Sequence, residues 1–312
     1  MSIYKYIFPK KWYDYTEKNS SKRRQNRVAN LWYPIIDDYF EGKIKKYEFF
    51  PKKDLGDNPK IIWQYWGQGV SDDTVPELVK ICFASVDKFK GDYQVIRLSD
   101  TTLSEYVDIP DFVWEKRLNN PKFTVTFFSD LLRLILLRTY GGIWMDATIL
   151  LTDEIPKEYT EMDYFVFQRS EDEIYKDYWF HVDPYYFCWE SDFKVQMLSS
   201  IIFGKRDSEV LKALVDIDLC FWERSDDLKY YFTLHVFYHY IITRKLKDSK
   251  CNVVNDCTPH ILQKKLMVGY PFMTFEEAFR SSPIHKLTYF QPDKLEIFKR
   301  EYKLFENGMR NV

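Results

Sequence analysis

The sequence predicts an α/β fold, a mostly parallel sheet flanked by helices with helical additions, and three observations carry that expectation. Short apolar runs over residues 61–65 and 93–98 bracket an amphipathic helical pattern over 76–89, which is the rhythm of a βαβ unit. A second helical pattern over 128–140 runs into Gly141-Gly142 and then into the apolar triplet Ile143-Trp144-Met145, which reads as a short buried strand. At 312 residues the chain can bury a sizeable core, as one large domain with additions or as two smaller ones.

Residues 1–58 read as an N-terminal extension and 59–312 as the main domain. The first fifteen residues interleave Lys5, Lys10 and Lys11 with Tyr4, Tyr6, Phe8 and Trp12, and Lys22, Arg23, Arg24 and Arg27 follow. Such a mixture suits an anionic membrane surface; the competing reading is a solvated helical extension packed on the main domain. A helix is expected around 32–40, ending near Gly42, and 53–59 is a linker of turn residues.

In the main domain, 61–65 is the first buried strand, broken by Gly67 and Gly69. The helix over 76–89 begins at a proline, which is favourable in a first turn, and 93–98 is the second strand. A short helix is expected over 111–117. Further on, 164–169 is a strand candidate, 171–186 lacks periodicity and reads as a mobile loop, and 209–222 and 228–245 are helices. The latter carries His235 and His239 four apart. That is metal-ligand spacing, but without an HExxH motif it does not indicate a zinc protease. Residues 261–266 read as a possible return to the sheet, and 274–280 as a short capped helix.

The centre of the chain is the stretch 128–156. Ser129 is placed to cap its helix, with Asp130 in the first turn where a carboxylate suits the helix dipole. Asp130 and Arg133 stand three apart and so share one face. Gly141 is expected as a left-handed cap, and the strand after it delivers Asp146, with Thr148 two residues on. A carboxylate at the carboxyl end of a strand, beside a turn that lets backbone approach closely, is where open α/β sheets bind ligands.

Composition narrows the classes. Lys+Arg number 45 against 47 Asp+Glu, a formal net charge of -2, so no global basicity points to nucleic acid. Aromatic residues make up 19% of the chain, fitting sugar platforms and membrane-interface contacts as well as an aromatic core. Five scattered cysteines without CxxC spacing argue for a reducing compartment and against a disulfide framework or zinc site. With no signal-type apolar core and no apolar run of about 18 residues, the expected location is cytoplasmic, with peripheral contact at the inner face of the membrane left open.

The run SD-LLR followed by GGIWMDAT (129–148) resembles the helix-Gly-Gly-strand unit of the glycosyltransferase sugar-binding (DXD) superfamily, which includes mannosyltransferases and the large clostridial glucosylating toxins. Its bacterial capsular polysaccharide synthesis branch is similar at two further stretches, KIIWQYWGQG (60–69) and SPIHKLT (282–288). The resemblance implies a GT-A-like, Rossmann-type domain and a metal-dependent, anomer-retaining hexosyltransferase. Its donor is a nucleotide sugar, UDP-linked in preference to GDP-mannose, and its acceptor a glycan or lipid-linked oligosaccharide.

The resemblance also assigns roles. Asp146 would be first ligand to Mn2+ or Mg2+, which neutralises the diphosphate leaving group. Thr148 stands where the family has a second carboxylate, so His285 is the candidate to complete the metal site and Lys286 to pair with the phosphates. Asp130 and Arg133 would contact the donor's sugar and ribose. Trp63 or Trp66 would stack on the base beside Gln64, and Ser199, with Ser200, would face the sugar. Because Thr148 breaks the pattern, a non-catalytic sugar-nucleotide or glycan-binding module is the alternative.

Overall fold

The computed structural model describes residues 10–56, 59–71 and 73–310. In chain order the elements are α1 (Lys10–Phe40), β1 (Ile61–Tyr65), α2 (Glu77–Phe89), β2 (Gln94–Leu98), α3 (Asp111–Asn119), α4 (Val125–Tyr140), β3 (Gly142–Met145) and β4 (Ile149–Leu151). They continue with α5 (Lys157–Glu161), β5 (Tyr164–Phe165), α6 (Lys176–Val182), β6 (Ile201–Gly204), α7 (Glu209–Arg224) and α8 (Thr233–Tyr240). The chain closes with α9 (Ile261–Val268), α10 (Phe275–Arg280), β7 (Ile284–Lys286) and α11 (Pro292–Arg310).

The main sheet has the order β2-β1-β3-β6-β5. β1 pairs in parallel with β2 and β3, while β6 is antiparallel to both β3 and β5, so β6 alone runs against the other four strands. This is the α/β architecture expected. All five residues of β1 are buried, as befits a strand covered on both faces. β4 and β7 form a separate antiparallel pair in which Ile149 faces Lys286 and Leu150 faces His285.

α4 is the spine of the core. Leu131, Leu132, Leu134, Ile135, Leu136 and Leu137 are all fully buried, each contributing about 1.5–3 kcal/mol relative to an exposed side chain. The helix is almost encircled because β3 and β6 lie along one side and α7 along another. Its cap is not Ser129. Thr124 is the N-cap, its hydroxyl accepting from the Phe127 N–H at 3.4 Å, and Ser129 lies a turn inside with its hydroxyl donating to the Thr126 carbonyl at 2.7 Å. Gly141 ends the helix at φ +77°, but its ψ of -168° is extended, so it is a turn into the strand and not a left-handed cap.

Several other expectations shift. The apparent loop 171–186 contains α6, whose buried Trp179 packs 4.7 Å from the Phe187 ring and 5.7 Å from Tyr270. The Arg169 guanidinium makes a buried two-point ion pair with Asp256 at 2.8 and 2.9 Å and donates to the Tyr186 and Cys188 carbonyls. Residues 261–266 form α9, not a strand: the apolar run is too short for periodicity to separate the two, and Gly269 in the left-handed region closes it as a helix. The helix in 228–245 is only α8, followed by a π-type turn at Ile241–Lys245. The strand at 164–169 shortens to β5, with Gln168 making isolated bridges to Met197 and Asn255. Thr274 caps α10 in a reciprocal capping box with Glu277, as the sequence suggests.

α1 is one 31-residue helix, longer than the expected 32–40 segment, and it packs against α6, α7 and α8. Trp32 carries that contact, 5.0 Å from the Phe221 ring and 5.5 Å from Phe237. Two of its basic residues are engaged internally: Lys18 pairs with Glu190, and Lys22 with Glu190 and Asp192. Tyr4, Lys5, Tyr6 and Phe8 lie outside the described residues. No described helix is long and apolar enough to cross a membrane.

Gly142 is the position that brings β3 against β1. Its φ is +105°, and a Cβ there would stand 2.6 Å from the Ile61 carbonyl oxygen, which is backbone and cannot move aside. Gly142→Ala is therefore expected to destabilise the protein by about 2 kcal/mol or more, read as a fall in the urea midpoint with an unchanged m-value.

Candidate functional site

The site is set by strand direction. β1 and β3 both end at one edge of the sheet, placing Trp66 and Asp146 there. β6 runs the other way, so the residues entering it, Ser199 and Ser200, arrive at the same edge. The Asp146 N–H donates to the Ser200 carbonyl at 2.8 Å and locks the two segments together.

Three donors converge on the Asp146 carboxylate. The Trp144 indole N–H reaches Oδ1 at 2.8 Å, an Arg133 guanidinium nitrogen stands 3.3 Å from the same oxygen, and Lys286 Nζ is 3.1 Å from Oδ2. Lys286 Nζ also donates to Thr148 Oγ1 at 2.8 Å. Burial alone would raise the Asp146 pKa, but Lys286 and Arg133, helped by the indole, hold it below the ordinary carboxylate value.

Asp130 behaves oppositely. It is buried, pairs with Arg133 at 3.0 Å, and its pKa is pushed up to about 6. Burial is the main cause, the neighbouring Asp146 charge adds to it, and Arg133 only partly offsets them. Arg133 itself is a strut. It donates to the Ser129 carbonyl at 3.0 Å, the Ser129 hydroxyl at 3.1 Å and the Ser199 carbonyl, and lies over the Trp144 ring. Most of its fork is thus engaged with protein groups.

Two clefts meet at this carboxylate. The larger, about 390 Å³, is lined by Asp130, Arg133, Ser199, Ser200, His235 and Lys286 among others. The smaller, about 280 Å³, has Trp66, Gln68, Thr148 and Tyr289 in its walls. Asp146 and Thr126 line both. The structure therefore brings together Asp130, Arg133, Asp146, Thr148, Ser199, Lys286 and Trp66.

It does not bring in Trp63, Gln64 or His285. Trp63 is fully buried, its indole N–H donating to the Gly141 carbonyl at 2.9 Å, so it packs the core and cannot stack on a ligand. Gln64 is also enclosed and accepts from Arg97 at 3.0 Å. Alternation along β7 sends His285 to the face opposite Lys286. There it is 0% exposed, its Nε2 within 3.1 Å of both the Phe279 carbonyl and the Thr152 hydroxyl. Burial lowers its pKa to about 4 against the pull of the Phe279 and Ser282 backbone, and its enclosure on that face keeps it away from Asp146. His235 and His239 do not form a metal pair either; His235 is buried and His239 half-buried, each with an unpartnered Nδ1, and burial lowers their pKa to about 3 and about 4.

Other residues near the site gave no local signal in the sequence. Asp218 on α7 is buried with both oxygens unpartnered, and burial, with the Asp130 charge, pushes its pKa well above the usual range. Tyr289 and the Lys264–Asp183 pair reach the cleft walls from far along the chain. A tyrosine after a strand or a lysine on a short helix reads as surface until the fold places it.

The donor set does not fit a divalent cation. It consists of one carboxylate already held by two protein cations and an indole, and one threonine hydroxyl. Among the described residues no group of three or more His, Cys, Asp or Glu side chains converges into a protein-only metal site.

The model of a protein family described as capsular polysaccharide synthesis protein matches residues 11–303. The chain belongs to that family. A search of curated proteins gave no match. Among solved structures, the chain is similar to one described as PaToxG glycosyltransferase, at 12% identity over 91% of this chain and 96% of the other, with a TM-score of 0.35.

The raised pKa of Asp130 has a signed consequence. Below pH ~4 the group is protonated folded and unfolded alike. Between pH ~4 and ~6 the folded state holds a proton that the unfolded chain has lost, so stability falls as pH rises through that window and the penalty stays above it. Asp130→Asn removes the penalty and keeps an acceptor for Arg133. It is expected to stabilise the family member by about 1–3 kcal/mol at pH 7.5 and to leave it unchanged at pH 4, as read by urea denaturation at the two pH values.

Proposed function

We propose that the protein is a hexosyltransferase of capsular polysaccharide synthesis, moving a sugar from a nucleotide donor to a glycan or lipid-linked oligosaccharide. The observation that carries this reading is the junction at Asp146, where an aromatic-walled cleft and a polar cleft meet beside two cations. The family supports the role in polysaccharide synthesis. A UDP-sugar is the favoured donor and GDP-mannose the alternative, both from the family resemblance.

In this reading the base lies in the smaller cleft against Trp66, whose indole N–H is fixed to the Thr74 carbonyl at 3.1 Å, with Tyr289 in the opposing wall. The diphosphate sits at the junction next to Lys286. The sugar points into the larger cleft, where the carboxylates of Asp130 and Asp146 accept from its hydroxyls and the Ser199–Ser200 turn forms the floor. The acceptor enters from the open side of that cleft.

Transfer breaks the bond between the anomeric carbon and the β-phosphate oxygen and forms one from that carbon to the acceptor oxygen. The bond electrons leave with the nucleoside diphosphate. If the acceptor attacks the face the diphosphate leaves, its proton passes to a phosphate oxygen, the configuration is retained, and no dedicated base is required. The chain's own residues orient the sugar and hold positive charge against the leaving group.

The second reading, a binding module without turnover, is favoured only by Thr148. Calorimetry and product NMR separate the two. UDP is expected to bind, and Trp66→Ala to weaken it roughly 5- to 150-fold, the loss of one base-aromatic stack. The product linkage is expected to keep the donor's configuration, and Asp146→Asn to lower transfer at least about 100-fold while the protein still melts cooperatively. Inversion would remove the retaining step, and nucleotide binding with no turnover on any glycan acceptor would favour the module.

A further inference from the structure

We propose that the Lys286 ammonium is itself the cation of the donor site, so that this chain binds a nucleoside diphosphate without a divalent metal. The inference rests on the donor reading above and concerns how the diphosphate charge is met.

Four observations lead there. The position that would supply a second carboxylate is Thr148, which brings no charge. The ammonium stands between the two groups that would otherwise hold a metal, 3.1 Å from Asp146 Oδ2 and 2.8 Å from Thr148 Oγ1. The imidazole next to it in sequence, His285, is sealed on the far face of β7. The other carboxylate oxygen of Asp146 is taken up by the Trp144 indole and Arg133.

Charge balance agrees. A site of two carboxylates and a divalent cation is formally neutral before the donor arrives. Asp146 with Lys286 is neutral too, and Asp130 with Arg133 adds a second neutral pair once Asp130 is ionised. A divalent ion at Asp146 would have to displace the ammonium or stand beside two existing positive charges, with a single carboxylate to hold it.

An ammonium has three N–H donors. Two are used by Asp146 and Thr148, and the third is left for the cleft, which Lys286 lines with its side chain 22% exposed. That geometry presents one pre-aimed, charge-assisted donor to a phosphate oxygen. The side chain is fixed on a strand by the β4–β7 ladder and is not carried on a loop. Lys286 stabilises the departing diphosphate as a fixed point charge.

The test is calorimetric titration of the full chain with UDP, and with GDP in parallel, in EDTA and in manganese chloride. UDP is expected to bind in EDTA within about threefold of its affinity in manganese. Lys286→Met, which keeps the length and removes the charge, is expected to weaken binding in EDTA roughly ten- to a hundredfold. Lys286→Arg should recover most of the loss, which separates a charge effect from a folding defect. Binding that appears only with manganese would overturn this inference and leave the donor reading standing, as would a Lys286→Met variant that folds and binds UDP as tightly as the parent. No binding of UDP or GDP in either medium would remove both.

Discussion

Everything at the site depends on the way one carboxylate is held. Asp146 sits at the end of a buried strand with a lysine, an arginine and an indole N–H directed at it. Those groups come from three elements: Arg133 from α4, Trp144 from β3 just before Asp146, and Lys286 from β7, 140 residues later. Their meeting requires β3 to start where it does, β6 to enter from the opposite direction, and β7 to pair with β4 in one register. Sheet topology and site electrostatics are therefore one problem. A shift in any of the three would leave a half-buried anion without its partners, which costs far more than the pairing itself contributes.

The surroundings are arranged at some expense to stability. Asp130 is ionised only reluctantly, Asp218 is buried without a hydrogen-bond partner, and His235 keeps a bare nitrogen in the wall of the larger cleft. Groups of this kind cluster where ligands bind, because a ligand's hydroxyls and phosphates can satisfy what the protein leaves open. Elsewhere among the described residues the buried charged groups are paired. Arg169 and Asp256 meet in a two-point contact, and Arg138 reaches Asp216 at 2.7 Å while the Tyr47 N–H donates to the same carboxylate at 3.0 Å. The contrast marks off the cleft from the framework that supports it.

Much of this was legible in the sequence, and the residues that were not share a reason. Helical periodicity gave α2, α4 and α7, and the Gly-Gly break gave β3 and hence Asp146. Motif resemblance pointed to Asp130 and Lys286, which the fold brings to one cleft. What failed was the direction of side chains on short strands. Trp63 and Trp66 are equally aromatic in sequence, yet one lies inside the five-residue strand and the other just past its end. His285 and Lys286 are adjacent, and only the pairing with β4 decides which faces the cleft. α6 was hidden because its buried Trp179 packs against Tyr270 from far along the chain, which no local pattern reports. α9 was mistaken for a strand because six residues are too few to tell the two periods apart.

The two-stranded β4–β7 ribbon has an evolutionary implication. Its side chains alternate with a period of two, so a slip of one residue in its pairing would turn the ammonium inward and bring the imidazole out. A site built around a fixed organic cation and one able to recruit an inorganic ion thus lie a single step apart on the same scaffold. Descendants of such a scaffold have a short mutational path between the two chemistries, through insertion or deletion in the turn before Ile284, with no change to the helix, the main sheet or the strand-end acid.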